Sequence, residues 1–221
     1  MSSLLRPLGL RLANYAELSL RCKHFEIYDF FKVVFDRLTT IKGSVVECGF
    51  GAGNSFIALG ALSLKSGRSL IGMDTFEGFP EPSDWDHSKR AVKAGEWAVR
   101  TLAEATRTCC LAGLEVAIRN GQIRLLQTTL GTQTLNPIPS SRIALLHLDV
   151  DLHDGYAAGL RLFWDQLAEG GIVVLDEYHS PKWPGCAVAV DNFISTRSDV
   201  VREEIVVANR SRYALKKRQR V

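Results

Sequence analysis

The chain has 221 residues, 46% of them hydrophobic and 23% charged, with a net charge of +3 at pH 7. This length and composition are typical of a globular protein with one sizeable core, and the small net charge does not favour a nucleic-acid-binding protein. No apolar run reaches the roughly 18 residues of a membrane-spanning helix, and the first residues do not resemble a secretory signal. We therefore expect neither a membrane nor a nucleic-acid partner.

The cysteines indicate a reducing compartment. Five are present, at positions 22, 48, 109, 110 and 186, and no two of them form a C-x-x-C pair. An odd number without that spacing argues against both a disulfide framework and a zinc ribbon. We expect a cytoplasmic protein.

We predict that residues 1–41 are helical and amphipathic, because apolar residues recur at helical spacing from Leu18 to Leu38. Such a segment before a first strand either covers a cleft as a lid or adds to the core, and the sequence leaves both roles open. We predict residues 1–42 as an N-terminal helical segment and residues 43–221 as one α/β domain.

A glycine-rich turn follows the first predicted strand, Ser44–Cys48. The stretch Ser44–Ser55 reads S-V-V-E-C-G-F-G-A-G-N-S, and a helix is predicted over Asn54–Lys65. Glycines allow positive φ and let a ligand approach the backbone, while the start of a helix offers unpaired N–H groups. The alternative is a strand-to-helix turn that binds nothing.

The pattern E-x-G-x-G-x-G differs from the dinucleotide fingerprint G-x-G-x-x-G. It resembles motif I of the class I methyltransferases that use S-adenosyl-L-methionine (SAM), in which the acidic residue helps to place the methionine end. That resemblance implies a group of cofactor-binding residues, namely Glu47, Gly49, Gly51, Gly53, Asn54 and Ser55.

The second predicted strand, Ser69–Met73, ends in Asp74, which could accept hydrogen bonds from ribose hydroxyls. Thr75 and Phe76 follow as further candidate cofactor contacts, and Asp149, which comes after a later predicted strand, is another. The loop D-T-F-E-G-F-P-E-P resembles the D-S-F-E-G-L-P-x-P signature of the macrocin O-methyltransferase (TylF-type) family. Members of that family methylate sugar hydroxyls on macrolide and aminocoumarin antibiotics.

The remaining elements alternate between helix and strand. One or two helices are predicted within residues 83–120, including the stretch 93–105, and further helices at Tyr156–Gln166 and Ala187–Phe193. The later strands are predicted at Gln122–Gln127, Ile143–Leu148, Ile172–Leu175, Glu203–Val207 and Arg212–Lys216. This order predicts an α/β, Rossmann-like, doubly wound and mostly parallel seven-stranded sheet with an antiparallel C-terminal hairpin.

Carboxylates follow two of these strands. Asp149 and Asp151 come after one, and Asp176 and Glu177 after the next. If the strands are neighbours, these side chains converge and would repel each other unless protons or a cation lie among them. Oxygen ligands favour Mg²⁺ or Mn²⁺. The alternative is that the aspartates cap the following helices.

Two blocks extend the family resemblance. I-A-L-L-H-L-D-V-D-L-H resembles the family's L-L-H-L-D-x-D-L-Y, and G-G-I-V-V-L-D-E-Y resembles its G-G-V-I-I-x-D-D-Y. The resemblance implies Asp149, Asp176 and Glu177 as metal ligands. Glu177 departs from the commoner aspartate.

The sequence therefore predicts a SAM-dependent, Mg²⁺-dependent O-methyltransferase of secondary metabolism, acting on a hydroxyl of a small molecule such as a sugar. The candidate general bases are Asp149, Asp151 and His179, and the sequence favours Asp151. Alternatives are a metal-independent methyltransferase, a degenerate SAM-binding protein and an NAD-dependent oxidoreductase. The sequence is compatible with a homo-oligomer, and it does not specify the methyl acceptor.

Overall fold

A computed structural model describes residues 25–131 and 142–219 of the chain. Its α-helices are α1 Phe25–Arg37, α2 Asn54–Ser66, α3 Leu102–Cys109, α4 Glu115–Arg119, α5 His153–Phe163 and α6 Pro184–Ser195. Its strands are β1 Ser44–Cys48, β2 Leu70–Asp74, β3 Ile123–Gln127, β4 Ile143–Leu148, β5 Leu167–Leu175, β6 Val200–Val207 and β7 Arg210–Lys217.

The strands form one seven-stranded sheet in the order β3-β2-β1-β4-β5-β7-β6. The pairs among β1 to β5 are parallel, whereas β7 runs antiparallel to both β5 and β6. The predicted fold class is confirmed. The order reverses between β1 and β4, and in open α/β sheets ligands bind beyond the carboxyl ends of strands at such a switch point.

The register brings the carboxyl ends of the central strands level with one another. Cys48 pairs with Leu148, which in turn pairs with Leu175. The Asp149 N–H donates to the Cys48 carbonyl at 2.9 Å, and the Asp176 N–H donates to the Leu148 carbonyl at 3.0 Å. Both aspartates therefore begin at the same edge of the sheet.

Helix α1 packs on one face of the sheet. Phe30, Phe31 and Val34 are buried in the same apolar cluster as Val45 of β1 and Ile172 of β5. The rest of the predicted N-terminal helix, residues 1–24, lies outside the described residues, and the proposed division at residue 42 stays a prediction.

Several element boundaries differ from those predicted. The stretch 93–105 was expected to be helical throughout, but α3 begins only at Leu102. Trp97 has a φ of +63°, a left-handed conformation that an α-helix does not contain. Helix α5 spans His153–Phe163 instead of the predicted Tyr156–Gln166. Strand β5 begins at Leu167, five residues before the predicted start at Ile172. Within the described residues, no helix is long and apolar enough to cross a membrane.

Candidate active site

The glycine turn after β1 brings backbone, without side chains, to the centre of the sheet edge. A Cβ atom on Gly49 would overlap the Asp149 carbonyl oxygen, so only glycine fits between the ends of β1 and β4. Gly51 has a φ of +49°, and a Cβ there would meet no atom within 4 Å. Gly53, with a φ of +86°, is the N-cap of α2 and packs on the Phe50 ring.

Asp74 holds this turn by its carboxylate. Its Oδ2 accepts from the Phe50 N–H at 2.6 Å and the Gly51 N–H at 3.2 Å. Its Oδ1 accepts from the Phe76 N–H at 2.7 Å, where Phe76 has a φ of +55°. Asp74 thus fixes the loops after both β1 and β2, a role that the sequence did not predict.

Two cavities open at this edge of the sheet, with volumes of about 520 Å³ and about 300 Å³. The larger is bordered by Phe31 of α1, Asn54 and Ser55 of α2, and the loop after β5. The smaller is bordered by Asp74, Thr75 and residues 128–130 after β3. Gly51, Trp97, Asp149 and Asp151 line both cavities. The two spaces together match the size of pockets that bind small molecules.

The acidic residues after β4 and β5 lie together in two overlapping sets. Oxygens of Asp149, Asp151 and Glu177 lie within 4.8 Å of one another. A second set joins Asp149 and Asp176 to His147 in the same way. Asp149 belongs to both sets. Asp151 reaches the cavity from a left-handed residue with a φ of +60°, since β4 does not continue past Leu148.

Burial and mutual repulsion alter the protonation of these acids. Burial, with the nearby Asp176 charge, raises the pKa of Asp149. Burial and the charges of Glu177 and Asp176 raise the pKa of Asp151 to about 7. Burial and Asp176 raise the pKa of Glu177 to about 6. The three carboxylates therefore repel one another and attract protons or a cation.

Asp176 differs because basic groups surround it. Arg212 of β7 donates to Asp176 Oδ1 from Nε at 2.7 Å, and to Oδ2 at 3.3 Å. Burial alone would raise the pKa of Asp176, but the nearby charge of His147 and the charge and hydrogen bond of Arg212 hold it below its usual range. Asp176 is consequently a fixed carboxylate at the centre of the site.

A buried charge network connects the two ends of the site. His147 Nδ1 lies 2.8 Å from Glu47 Oε1, and His147 Nε2 lies 3.8 Å from Asp176 Oδ1. Burial lowers the pKa of His147, but the nearby Asp176 carboxylate and the hydrogen bond and charge of Glu47 raise it to about 10. Glu47 is fully buried, and its Oε2 has no hydrogen-bond donor among the described residues.

A second contact that the sequence did not predict fixes Glu177. The buried Tyr156 hydroxyl donates to the Leu148 carbonyl at 2.9 Å and accepts from the Glu177 N–H at 3.0 Å. Tyr156 thereby ties the end of β4 to the loop after β5. His179, by contrast, lines neither cavity and stacks on Tyr178 with ring centroids 3.9 Å apart.

The sequence profile of the macrocin O-methyltransferase (TylF) family matches residues 29–208, which include all of these groups except Arg212. The chain belongs to this family. A relative from Streptomyces olivaceus, "8-demethyl-8-(2,3-dimethoxy-alpha-L-rhamnosyl)-tetracenomycin-C 4'-O-methyltransferase", is 29% identical over 145 residues, which are 62% of this chain and 54% of the relative. The chain thus spans about half the length of this curated relative.

Solved structures share the fold of this TylF-family chain. The calicheamicin methyltransferase CalS11 superposes with a TM-score of 0.72 and 23% identity, covering 82% of this chain and 75% of CalS11. The O-methyltransferase NovP superposes with a TM-score of 0.63 and 22% identity, covering 88% of this chain and 78% of NovP. The methyltransferase PaMTH1 of Podospora anserina was solved with S-adenosylhomocysteine (SAH). It superposes with a TM-score of 0.57 and 14% identity, covering 94% of this chain and 88% of PaMTH1.

The residues of this TylF-family site fit the two groups that the sequence implies. Gly51 leaves backbone open toward both cavities, and the Asp74 carboxylate borders the smaller one. Asp149 lies within 4.8 Å of Glu177 in one set and of Asp176 in the other, the oxygens of these three acids are hard donors that suit Mg²⁺, and a divalent cation would relieve the repulsion among the acids.

Proposed function

We propose that the protein is a SAM-dependent, Mg²⁺-dependent O-methyltransferase that methylates a hydroxyl group on the sugar of a natural product. The observation that carries this proposal is the meeting of two cavities at Gly51, Asp149 and Asp151. One cavity borders the glycine turn and Asp74, and the other borders the acidic residues. A methyl donor in the first and an acceptor in the second would meet above Asp149.

The cofactor contacts that we propose are those of the glycine turn and the loop after β2. Gly49, Gly51, Asp74 and Thr75 line the smaller cavity. Asn54 and Ser55 line the larger cavity at the start of α2, where helix N–H groups favour a carboxylate. Glu47, Gly53 and Phe76 line neither cavity and would act by shaping the turn.

We assign the cation to Asp149, Asp176 and Glu177, as the family resemblance implies, and the general base to Asp151. When bound, SAM supplies an electrophilic methyl group and the divalent cation lowers the pKa of an acceptor hydroxyl. The Asp151 carboxylate would take the hydroxyl proton while the acceptor oxygen bonds to the methyl carbon and the methyl–sulfur bond breaks, so that SAH leaves as a neutral thioether. Its pKa of about 7 is near the value that favours this transfer.

The acceptor in this proposal is a small hydroxylated molecule. A relative's name specifies methylation of a rhamnosyl group, and the larger cavity has room for a sugar ring. Trp97 lines both cavities with 57% of its surface exposed, and its ring would cover one face of that sugar and exclude water. Among the described residues, Cys48, Cys109, Cys110 and Cys186 form no disulfide bond, which agrees with a cytoplasmic enzyme.

Two substitutions separate the proposed metal ligand from the proposed base. Asp149→Asn should lower the affinity for Mg²⁺ at least tenfold in calorimetry, whereas Asp151→Asn should retain Mg²⁺ and SAH binding and lose about 10²-fold or more in methyl transfer. Asp84→Asn, in the exposed 3₁₀ turn Asp84–Asp86, is the matched control. If Asp151→Asn abolishes Mg²⁺ binding, Asp151 is a ligand and this assignment of the base fails.

A chelator tests the metal itself. With a panel of glycosylated natural products and labelled SAM, we expect turnover that EDTA abolishes and Mg²⁺ restores. Full turnover in EDTA would establish a metal-independent methyltransferase. SAH binding without turnover on any acceptor would favour a catalytically degenerate SAM-binding protein.

A further inference from the structure

The larger cavity carries positive charge as well as acids. Besides His147, four arginine and lysine residues line it, namely Arg90, Lys182, Arg210 and Arg212. Two of them have partners: Arg90 pairs with Glu96 at 2.7 Å, and Arg212 pairs with Asp176 at 2.7 Å. Neither Arg210 nor Lys182 makes an ion pair with a carboxylate in the described part of the chain.

Arg210 is the more informative of these two residues. It is half-buried, and its Nε is shielded from solvent without a hydrogen-bond partner among residues 25–131 and 142–219. A buried donor without an acceptor is unfavourable, and a guanidinium carries its donors in a planar fork that fits an oxyanion. The atom therefore lacks the acceptor that a ligand could provide.

The position of Arg210 also separates it from the acids. It begins β7, two residues before Arg212, which is bound to Asp176. Two strand residues span roughly 7 Å, so Arg210 lies one step farther along β7, toward its hairpin turn. Lys182 approaches the same cavity from the loop before α6. A ligand could thus place a hydroxyl at the carboxylates and a negative group beside Arg210.

We propose that the acceptor carries an oxyanion, either a phosphate or a carboxylate, and that Arg210 binds this group with help from Lys182. This proposal rests on the proposed function, because it concerns the same acceptor molecule: the hydroxyl lies at the carboxylates, and the oxyanion lies at Arg210. A sugar linked to a nucleoside diphosphate and a uronic acid glycoside both have this chemistry. A fully neutral glycoside does not.

Calorimetry on the full chain saturated with SAH, in EDTA, tests the proposal. Pyrophosphate and uridine diphosphate represent phosphate-bearing acceptors, and glucuronate represents carboxylate-bearing ones. We expect binding of at least one class, weakened about tenfold in Arg210→Gln and severalfold in Lys182→Gln. Stronger binding of one class would identify the source of the oxyanion. Raising KCl from about 50 to 500 mM should weaken binding, because salt screens these charges.

Two controls separate charge recognition from damage to the fold. Arg210→Lys retains the charge and should recover much of the affinity that Arg210→Gln loses. Arg107→Gln, an exposed position of α3 that lines neither cavity, should bind the anions as the parent does. No binding of any anion at about 10 mM, or equal binding by the parent and Arg210→Gln, would overturn the proposal.

Failure of the oxyanion proposal can be distinguished from failure of the proposed methyltransferase function. SAH binding and EDTA-sensitive methylation of neutral glycosides would persist if only the oxyanion proposal were wrong. Absence of SAH binding would instead refute the methyltransferase assignment, and the anion titrations without SAH would still test Arg210.

Discussion

His147 Nδ1 lies 2.8 Å from Glu47 Oε1, and the two residues occupy directly paired positions of the central strands β4 and β1. Both side chains are buried, with exposures of 1% for His147 and 0% for Glu47. Because the pKa of His147 is raised to about 10, the ring is a cation that neutralises buried carboxylates. Removing it would leave Glu47 with an uncompensated charge.

We therefore expect His147→Leu to lower the free energy of unfolding by about 3 kcal/mol or more. Urea denaturation in EDTA measures this change without a contribution from bound metal. Combining His147→Leu with Glu47→Leu should recover part of the loss, because the second substitution removes the stranded acid. His87→Leu, at an exposed position, should change stability by less than about 0.5 kcal/mol. An equally small effect for His147→Leu would refute the network.

Gly51 offers a test of the proposed donor site. Gly51→Ala should cost about 1 kcal/mol of stability because its φ is +49°, yet its methyl group meets no protein atom within 4 Å. The methyl group would instead project toward the two cavities, and SAH affinity should fall at least tenfold by calorimetry.

Gly67→Ala is the matched control for this substitution. Gly67 has a φ of +67°, and a Cβ there also meets no atom within 4 Å, but the residue caps the far end of α2. It should show a similar loss of stability with unchanged SAH binding. Equal SAH affinities in the two variants would contradict a cofactor at the glycine turn.

Asp74 should affect both the fold and the cofactor. Asp74→Asn replaces one oxygen that accepts backbone N–H groups with an amide that donates, and so opposes the contacts to Phe50 or Phe76. We expect a loss of about 1–3 kcal/mol in urea denaturation and SAH binding weakened at least severalfold. A variant with parental stability but weak SAH binding would indicate that Asp74 acts on ribose alone.

Tyr156→Phe tests how the loop after β5 is held. The substitution leaves the Glu177 N–H and the Leu148 carbonyl without the hydroxyl between them, and we expect a loss of about 1–3 kcal/mol. Mg²⁺ affinity measured by calorimetry should fall severalfold, because Glu177 would be less well fixed. Tyr213→Phe is the chemical control and should change neither quantity appreciably. Unaltered Mg²⁺ binding in Tyr156→Phe would show that Glu177 needs no such support.

Much of the fold could be predicted from the sequence because its signals are local. Glycine spacing and apolar runs gave the bounds of β1 and β4 correctly, Ser44–Cys48 and Ile143–Leu148. The prediction of helix over residues 93–105 is wrong only for residues 93–101, and the error has a physical cause. The stretch contains good helix formers, but Gly95 and Trp97 both have positive φ, which is incompatible with a continuous α-helix.

The network around His147 could not be predicted from local signals. In the sequence His147 appears only as a polar interruption of an apolar run, one hundred positions from Glu47. Their pairing depends on β1 and β4 being neighbours in one register. One signal was available, since each residue stands one place before the end of a buried strand. The partners of Asp176 required the position of β7, which no motif specifies.

The close approach of Gly49 to the Asp149 carbonyl has an evolutionary consequence. The floor beneath the reacting groups is peptide backbone, and a mutation cannot add a side chain there without parting the two central strands. In the proposed enzyme, variation in the acceptor would therefore arise at the walls, from residues such as Trp97 on its loop and Arg210 on the hairpin. A lineage of such enzymes could exchange one acceptor for another while inheriting the same backbone floor.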